Sequence, residues 1–210
     1  MKVSVSYLSV KKRLIPKAIS ILDKTSMDYL HVDVMDGKYV RNKANLYSDV
    51  EKLSYLTRKR MDIHFMVNKP LKMIDDFASL NVFCMTFHAN IKNKLDDVIA
   101  KCQSYGIKVG IAIRPEEDID IILPYLDKID LVLVMSVIPG KGGQEFMEEV
   151  LPKIKLLREL FKKEKKNILI SIDGGVNADT KKLIHDVDII VSGNYVTSSE
   201  NYEEAIKKLR

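Results

Sequence analysis

Eight short apolar runs alternate along the chain with eight amphipathic segments, and that alternation limits the possible folds more than any other feature. The runs are "KVSVSYL" (2–8), "YLHVDV" (29–34), "MDIHFMV" (61–67), "VFCMTFH" (82–88), "IKVGIAI" (107–113), "DLVLVMSV" (130–137), "NILISID" (167–173) and "DIIVSG" (188–193). Each has the length and composition of a buried strand. The segments between and after them, 16–24, 47–57, 70–80, 94–105, 116–127, 144–163, 179–185 and 202–209, place apolar residues at helical spacing, with Pro16 where a first helical turn accepts it. Strict β–α alternation implies parallel strands, and eight units in 210 residues predict an α/β fold, a (β/α)8 TIM barrel forming one domain over residues 1–210 with the helices outside. A doubly wound open sheet is the structural rival, but it does not explain where the polar residues fall.

Those polar residues sit near strand ends. In "HVDVMDG" (31–37), His31, Asp33 and Met35 share one face of a strand while Val32 and Val34 share the other. An imidazole and a carboxylate on a buried face need a metal, a counter-charge or water. The active site of such a barrel forms at the C-terminal ends of the strands, so His31, Asp33, His64 and Asp173, from three strands, converge on one mouth, with Ser6, His88, Arg114, Met135, Ser136 and Gly193 at the same rim. Two imidazoles and two carboxylates suit one divalent metal, Zn2+, Fe2+, Mn2+ or Co2+, and suit Ca2+ poorly. Asp36 and Gly37 are expected to shape the following loop, with Asp36 free to orient a neighbouring ligand. His185 reads as an ordinary residue in the last turn of a helix.

Glycine-bearing turns follow the last three strands: "PGKGGQ" (139–144), "DGG" (173–175) and "SGN" (192–194). Glycines let main-chain N–H groups approach an anion, and a phosphate site on the late loops recurs in barrels. The expected ligand is a phosphorylated small molecule.

Charge argues against other partners. The net charge of +5, from 34 Lys+Arg against 29 Asp+Glu, is a mild basic excess. The densest basic run, "KKEKK" (162–166), has no interleaved aromatics to stack on bases and reads as a solvated helix end, so nucleic acid is not an expected partner. Charges interrupt every candidate membrane span, the first residues lack the apolar run of a signal peptide, and Cys84 and Cys102 read as reduced core thiols; a cytoplasmic location follows.

"HVDVMDGKYVRN" (31–42), "HFMVNKP" (64–70), "VMSVIPGKGGQEF" (134–146), "IDGGVN" (172–177) and "VSG" (191–193) together resemble the motifs of the ribulose-phosphate 3-epimerase family, in order and across essentially the whole chain. The resemblance implies inversion at carbon 3 of D-ribulose 5-phosphate to give D-xylulose 5-phosphate, a step of the pentose phosphate pathway, through a metal-stabilised enediolate. It implies that His31, Asp33, His64 and Asp173 hold the metal and that Asp33 and Asp173 are the acid/base pair. It also implies substrate contacts from Ser6, His64, Gly140, Lys141, Gly142, Gly143, Asp173, Gly174, Gly175, Gly193 and Asn194. Met35, Met66 and Met135 match methionines that line the family's pocket, and a homo-oligomer is expected.

The chain departs from the family pattern at Arg41, Asn90, Arg114, Lys141 and Asn194, and in "NKANLYS" (42–48) and "VKKRLIP" (10–16). These positions bear on the choice of sugar, so a 3-epimerase of another ketose phosphate, such as D-allulose 6-phosphate, is the nearest alternative; a non-catalytic sugar-phosphate-binding barrel is the other. Decarboxylase and aldol-synthase barrels resemble a D-x-K-x-x-D pattern, and "HVDVMDG" lacks its lysine.

Overall fold

A computed structural model describes residues 1–210. Eight parallel strands close into a barrel: β1 (Lys2–Ser6), β2 (Tyr29–Asp36), β4 (Arg60–Met66), β5 (Val82–His88), β6 (Lys108–Ile113), β7 (Leu131–Met135), β8 (Leu169–Asp173) and β9 (Ile189–Ser192). Closure comes from β1, which pairs with β2 on one side and β9 on the other. An open doubly wound sheet would leave those two edges apart. The ninth strand, β3 (Lys43–Ala44), is a short antiparallel addition to the end of β2, formed within the atypical stretch after the second run.

Strand alternation divides the core into two layers. Outward-facing residues such as Val32, Val34, Phe65, Phe87, Ile111 and Ile172 are buried beneath the helices, α1 (Ile15–Leu22), α2 (Tyr47–Ser54), α3 (Ile74–Ala78), α4 (Leu95–Ser104), α5 (Leu151–Lys163) and α7 (Tyr202–Lys207). Full burial of each such side chain contributes about 1.5–3 kcal/mol before the entropy of ordering it is counted. The inner layer holds Leu131, Leu133, Met135, Ile189 and Val191 on one side. Its other side is polar: Ser4, His31, Asp33, Asp62, His64, Thr86 and His88 are all buried.

Several expected helices are shorter or tighter. The segment 116–127 forms a 3-10 run over Ile119–Tyr125 instead of an α-helix, in keeping with Pro124, which removes an N–H from its interior. Residues 70–80 divide into a 3-10 turn, Pro70–Lys72, and α3. Residues 144–147 precede the helix and belong to the late loop, so helical structure begins with a 3-10 turn at Glu148–Val150 that leads into α5. Residues 179–185 reduce to a 3-10 turn at Thr180–Leu183, and His185 lies outside it rather than in a last helical turn. A short helix not expected from periodicity, α6 (Asn194–Thr197), follows β9. Only Lys162 and Lys163 of the basic run lie in the last turn of α5; the chain then turns through Lys165 at φ 52°.

Candidate functional site

Strand register assembles the site. Across β2 and β4, His31 is opposite Asp62, Asp33 opposite His64 and Met35 opposite Met66. Across β7 and β8, Met135 is opposite Asp173. Every one of these side chains is on an inward position, so the polar cluster follows from period-two alternation on adjacent strands.

His31, Asp33, His64 and Asp173 each present one donor atom to a common point, all within 4.8 Å of one another. His31 Nε2 lies 3.4 Å from Asp33 Oδ1 and 3.7 Å from Asp173 Oδ2. His64 Nδ1 lies 3.3 Å from Asp33 Oδ1 and 3.8 Å from Asp173 Oδ2. His31 Nε2 is buried, has no hydrogen-bond partner and faces into the cluster. A nitrogen so placed, beside two carboxylates and a second imidazole, fits a borderline divalent cation.

Each of the four is held from behind. Ser6 Oγ donates to Asp33 Oδ2 at 2.8 Å. Ser136 donates from both its N–H and its hydroxyl to the carbonyl of Asp173, at 2.8 and 3.0 Å, and pins the end of β8 to β7. His31 Nδ1 lies 2.8 Å from Asp62 Oδ2, and Ser4 Oγ donates to the same oxygen at 3.0 Å. His64 Nε2 lies 2.9 Å from His88 Nε2. Asp62, which the motifs did not mark, therefore belongs to the buried polar cluster and holds His31 from behind. Its signal was its place two residues before His64 in "MDIHFMV", which puts it on the same inward face.

Asp36 does shape its loop, accepting from the backbone N–H groups of Lys38 and Tyr39 at 2.8 Å and of Asn68 at 3.0 Å. It orients none of the four donors, because both its oxygens are engaged by main chain; Asp62 has that part instead.

The electrostatics separate the two carboxyls. Burial opposes the charge on Asp33, yet His31 and His64 outweigh it and hold its pKa well below the usual carboxylate range. For Asp173 burial dominates; His31 and His64 act against it, the Asp33 charge adds to it, and its pKa is pushed up to about 6. His31 is also opposed by burial but is held well above the usual imidazole value by Asp33 and Asp62. Burial and the neighbouring His64 hold His88 well below it. One carboxyl is therefore kept charged while the other stands close to its protonated form.

A cavity of about 180 Å3 opens beside this cluster. Asp33, Asp173, Met35, Met66 and Met135 line one end, and Ser6, Gly140, Lys141, Gly142, Gly143, Gly174, Gly175, Gly193 and Asn194 line the rest. The three glycine turns thus meet around one space. Gly175 has φ 62°, and a Cβ there would lie 2.5 Å from the Phe146 backbone nitrogen. Gly140 has φ 111°, and a Cβ would come within 2.8 Å of Val40, whose hairpin is tied across by Asn42 Nδ2 donating to the Gly140 carbonyl at 2.7 Å. Val137, Gln144 and Asn177, which lie within the quoted motifs but were not singled out as contacts, also line the cavity, as does Tyr195, which lies outside them.

His31 and His64 are almost fully buried, at 1% and 0% exposure, and lie behind the carboxylates rather than in the cavity wall. Of the atypical positions, Lys141 and Asn194 line the cavity. Arg114 is instead 3.0 Å from Glu116, outside the lining, and Asn90 accepts from the Tyr39 hydroxyl at 2.6 Å. Arg41 is exposed and outside the lining.

The family model "Ribulose-phosphate 3 epimerase family" matches residues 2–197. A ribulose-phosphate 3-epimerase of Buchnera aphidicola is 38% identical over 195 residues, covering 89% of this chain and 84% of that protein. One from Bacillus subtilis is 34% identical over 213 residues, covering 100% and 98%. Among solved structures, KGPDC from Streptococcus mutans superposes with a TM-score of 0.72 at 18% identity, covering 99% of this chain and 94% of that one. The 3-hexulose-6-phosphate synthase of Salmonella typhimurium gives 0.64 at 14% identity, covering 100% and 96%. At these identities the solved structures speak for the barrel fold alone.

Proposed function

The chain belongs to the ribulose-phosphate 3-epimerase family, isomerases that act on carbohydrates, and on that premise we propose that it inverts carbon 3 of D-ribulose 5-phosphate to give D-xylulose 5-phosphate. The observation that carries this reading is the meeting of His31, Asp33, His64 and Asp173, with donor atoms within 4.8 Å, at one end of a cavity enclosed elsewhere by three glycine turns.

A divalent cation held by those four side chains would act as a Lewis acid toward the substrate's carbonyl oxygen and lower the cost of removing the adjacent proton. The chain's own groups supply the rest. Asp33, at the cavity wall, is suited to take the C3 proton. Asp173, at the same wall, is suited to deliver a proton to the opposite face, and the two exchange roles in the reverse direction. Ser6 steadies Asp33 by its 2.8 Å hydrogen bond. Met35, Met66 and Met135 line the reacting end with polarizable side chains that offer no exchangeable proton and displace water. The glycine turns would bind the phosphate through main-chain N–H groups, with Lys141 adding a positive charge at the same wall. Buried free thiols at Cys84 and Cys102 support a cytoplasmic setting, and no helix is long and apolar enough to cross a membrane.

The substrate assignment is tested by supplying chelated protein with Zn2+, Fe2+, Mn2+ or Co2+ in turn and assaying D-ribulose 5-phosphate against D-allulose 6-phosphate. A higher kcat/KM for the pentose supports the proposal. Preference for the hexulose would reassign the sugar, and turnover of neither would favour a binding protein.

A further inference from the structure

The bond between His64 and His88 has a direction, and that direction bears on the cation site. Two neutral imidazoles joined nitrogen to nitrogen share one proton, so one ring donates and the other accepts. His64 Nε2 and His88 Nε2 are 2.9 Å apart, and both rings are fully buried. The outer nitrogens differ: His64 Nδ1 is 3.3 Å from Asp33 Oδ1, whereas His88 Nδ1 is buried with no partner. Tyr39 is stacked on His88 at 4.9 Å between ring centroids, which holds the imidazole in place from the loop side.

We infer that His88 is a positioning residue that selects the tautomer of His64, and that the His64–His88 pair reverses its hydrogen bond when a cation binds. The inference rests on the metal-site reading above. With no cation bound, Asp33 accepts from His64 Nδ1–H. His64 Nε2 then accepts from His88 Nε2–H, and His88 Nδ1 is left as a bare lone pair. An unpartnered buried acceptor costs less than an unpartnered buried donor, so the metal-free pair favours this direction, and ligation of the cation must outweigh the cost of the reverse one. Ligation needs the lone pair of His64 Nδ1, so that nitrogen must give up its proton and Nε2 must become the protonated one. His64 then donates to His88, and the proton on His88 is carried by Nδ1. One proton leaves His64 Nδ1, one arrives at His88 Nδ1, and the shared proton shifts between the two Nε2 atoms; each ring remains neutral.

The pairing of His31 with Asp62 is of another kind. A carboxylate can only accept, so His31 Nδ1 carries a proton in either state. His88, being able both to donate and to accept, leaves His64 free to serve Asp33 or a cation. On this division of labour a histidine, rather than a second carboxylate like Asp62, stands behind His64.

Protein labelled with 15N-histidine tests the inference through long-range 1H–15N correlation, which distinguishes Nδ1–H from Nε2–H rings. His88 should be the Nε2–H tautomer in chelated protein and the Nδ1–H tautomer after Zn2+ is added. Zn2+ titrations of His88→Phe and His88→Gln add a second readout. Loss of the acceptor in His88→Phe should weaken Zn2+ binding by about 10–100-fold, while His88→Gln, whose amide both donates and accepts, should recover most of it. Circular dichroism and Tm establish that both variants are folded. An unchanged His88 tautomer, or a folded His88→Phe that binds Zn2+ as the parent does, overturns the role of His88 alone. A parent protein that fails to bind Zn2+, Fe2+, Mn2+ or Co2+ overturns the metal-site reading together with it.

Discussion

Asp62 stands directly beneath His31, its Oδ2 2.8 Å from His31 Nδ1, inside the barrel and only 3% exposed. The carboxylate fixes the ring so that Nε2 faces Asp33 and Asp173. It also raises the electron density available at Nε2, as carboxylate partners of metal-binding histidines do. Asp62→Asn keeps an acceptor but loses the charge. Metal affinity should fall by about tenfold or more, measured by competition with a chelator, while the far-ultraviolet circular dichroism is unchanged.

If Asp33 and Asp173 serve opposite faces of the substrate, single substitutions give a stereochemical signature. Asp33→Asn and Asp173→Asn should each abolish epimerisation, yet either variant can retain exchange of a substrate proton from the face served by the surviving carboxyl. Deuterium incorporation into substrate without formation of epimer is the expected result. Parent-like turnover in both variants would remove the two-carboxyl assignment.

The elevated pKa of Asp173 has a consequence for stability. Its folded value of about 6 lies above the ordinary aspartate value of 3.8, so the folded state binds the proton more tightly. This contribution is fully present below about pH 4 and is lost as pH rises through about 6. Chelated protein should therefore give up at most about 3 kcal/mol across that window through this group. Asp173→Asn removes the dependence and should be the more stable protein at pH 7.5, with the difference shrinking toward pH 4. Urea unfolding at several pH values measures it.

Lys141 lines the cavity and forms no ion pair with a carboxylate. If its charge serves the phosphate, Lys141→Phe should raise KM several-fold, on the order of 3–10-fold, with kcat little changed and a weaker dependence on ionic strength. Unaltered KM and kcat would assign the lysine to solvent.

Much of this architecture was legible because its causes are local. Short apolar runs marked all eight barrel strands, and period-two alternation within the second put His31 and Asp33 on one face. The glycine turns were legible for a related reason, since positive φ at Gly140 and Gly175 leaves a direct trace in residue type. What escaped depends on contacts between strands that are neighbours in the barrel but far apart in sequence. Asp62 gains its meaning from being opposite His31 across β2 and β4, and His88 from reaching His64 across β4 and β5. The 3-10 run at Ile119–Tyr125 shows the same limit. Its apolar spacing resembles that of a helix, and packing against the barrel together with Pro124 decides the tighter form.

The most direct test of the epimerase assignment is NMR of the metal-loaded protein with D-ribulose 5-phosphate in D2O, following loss of the C3–H signal and appearance of D-xylulose 5-phosphate. Exchange at C3 accompanied by inversion is the expected result. A metal-loaded protein that neither exchanges that hydrogen nor forms the epimer would contradict it.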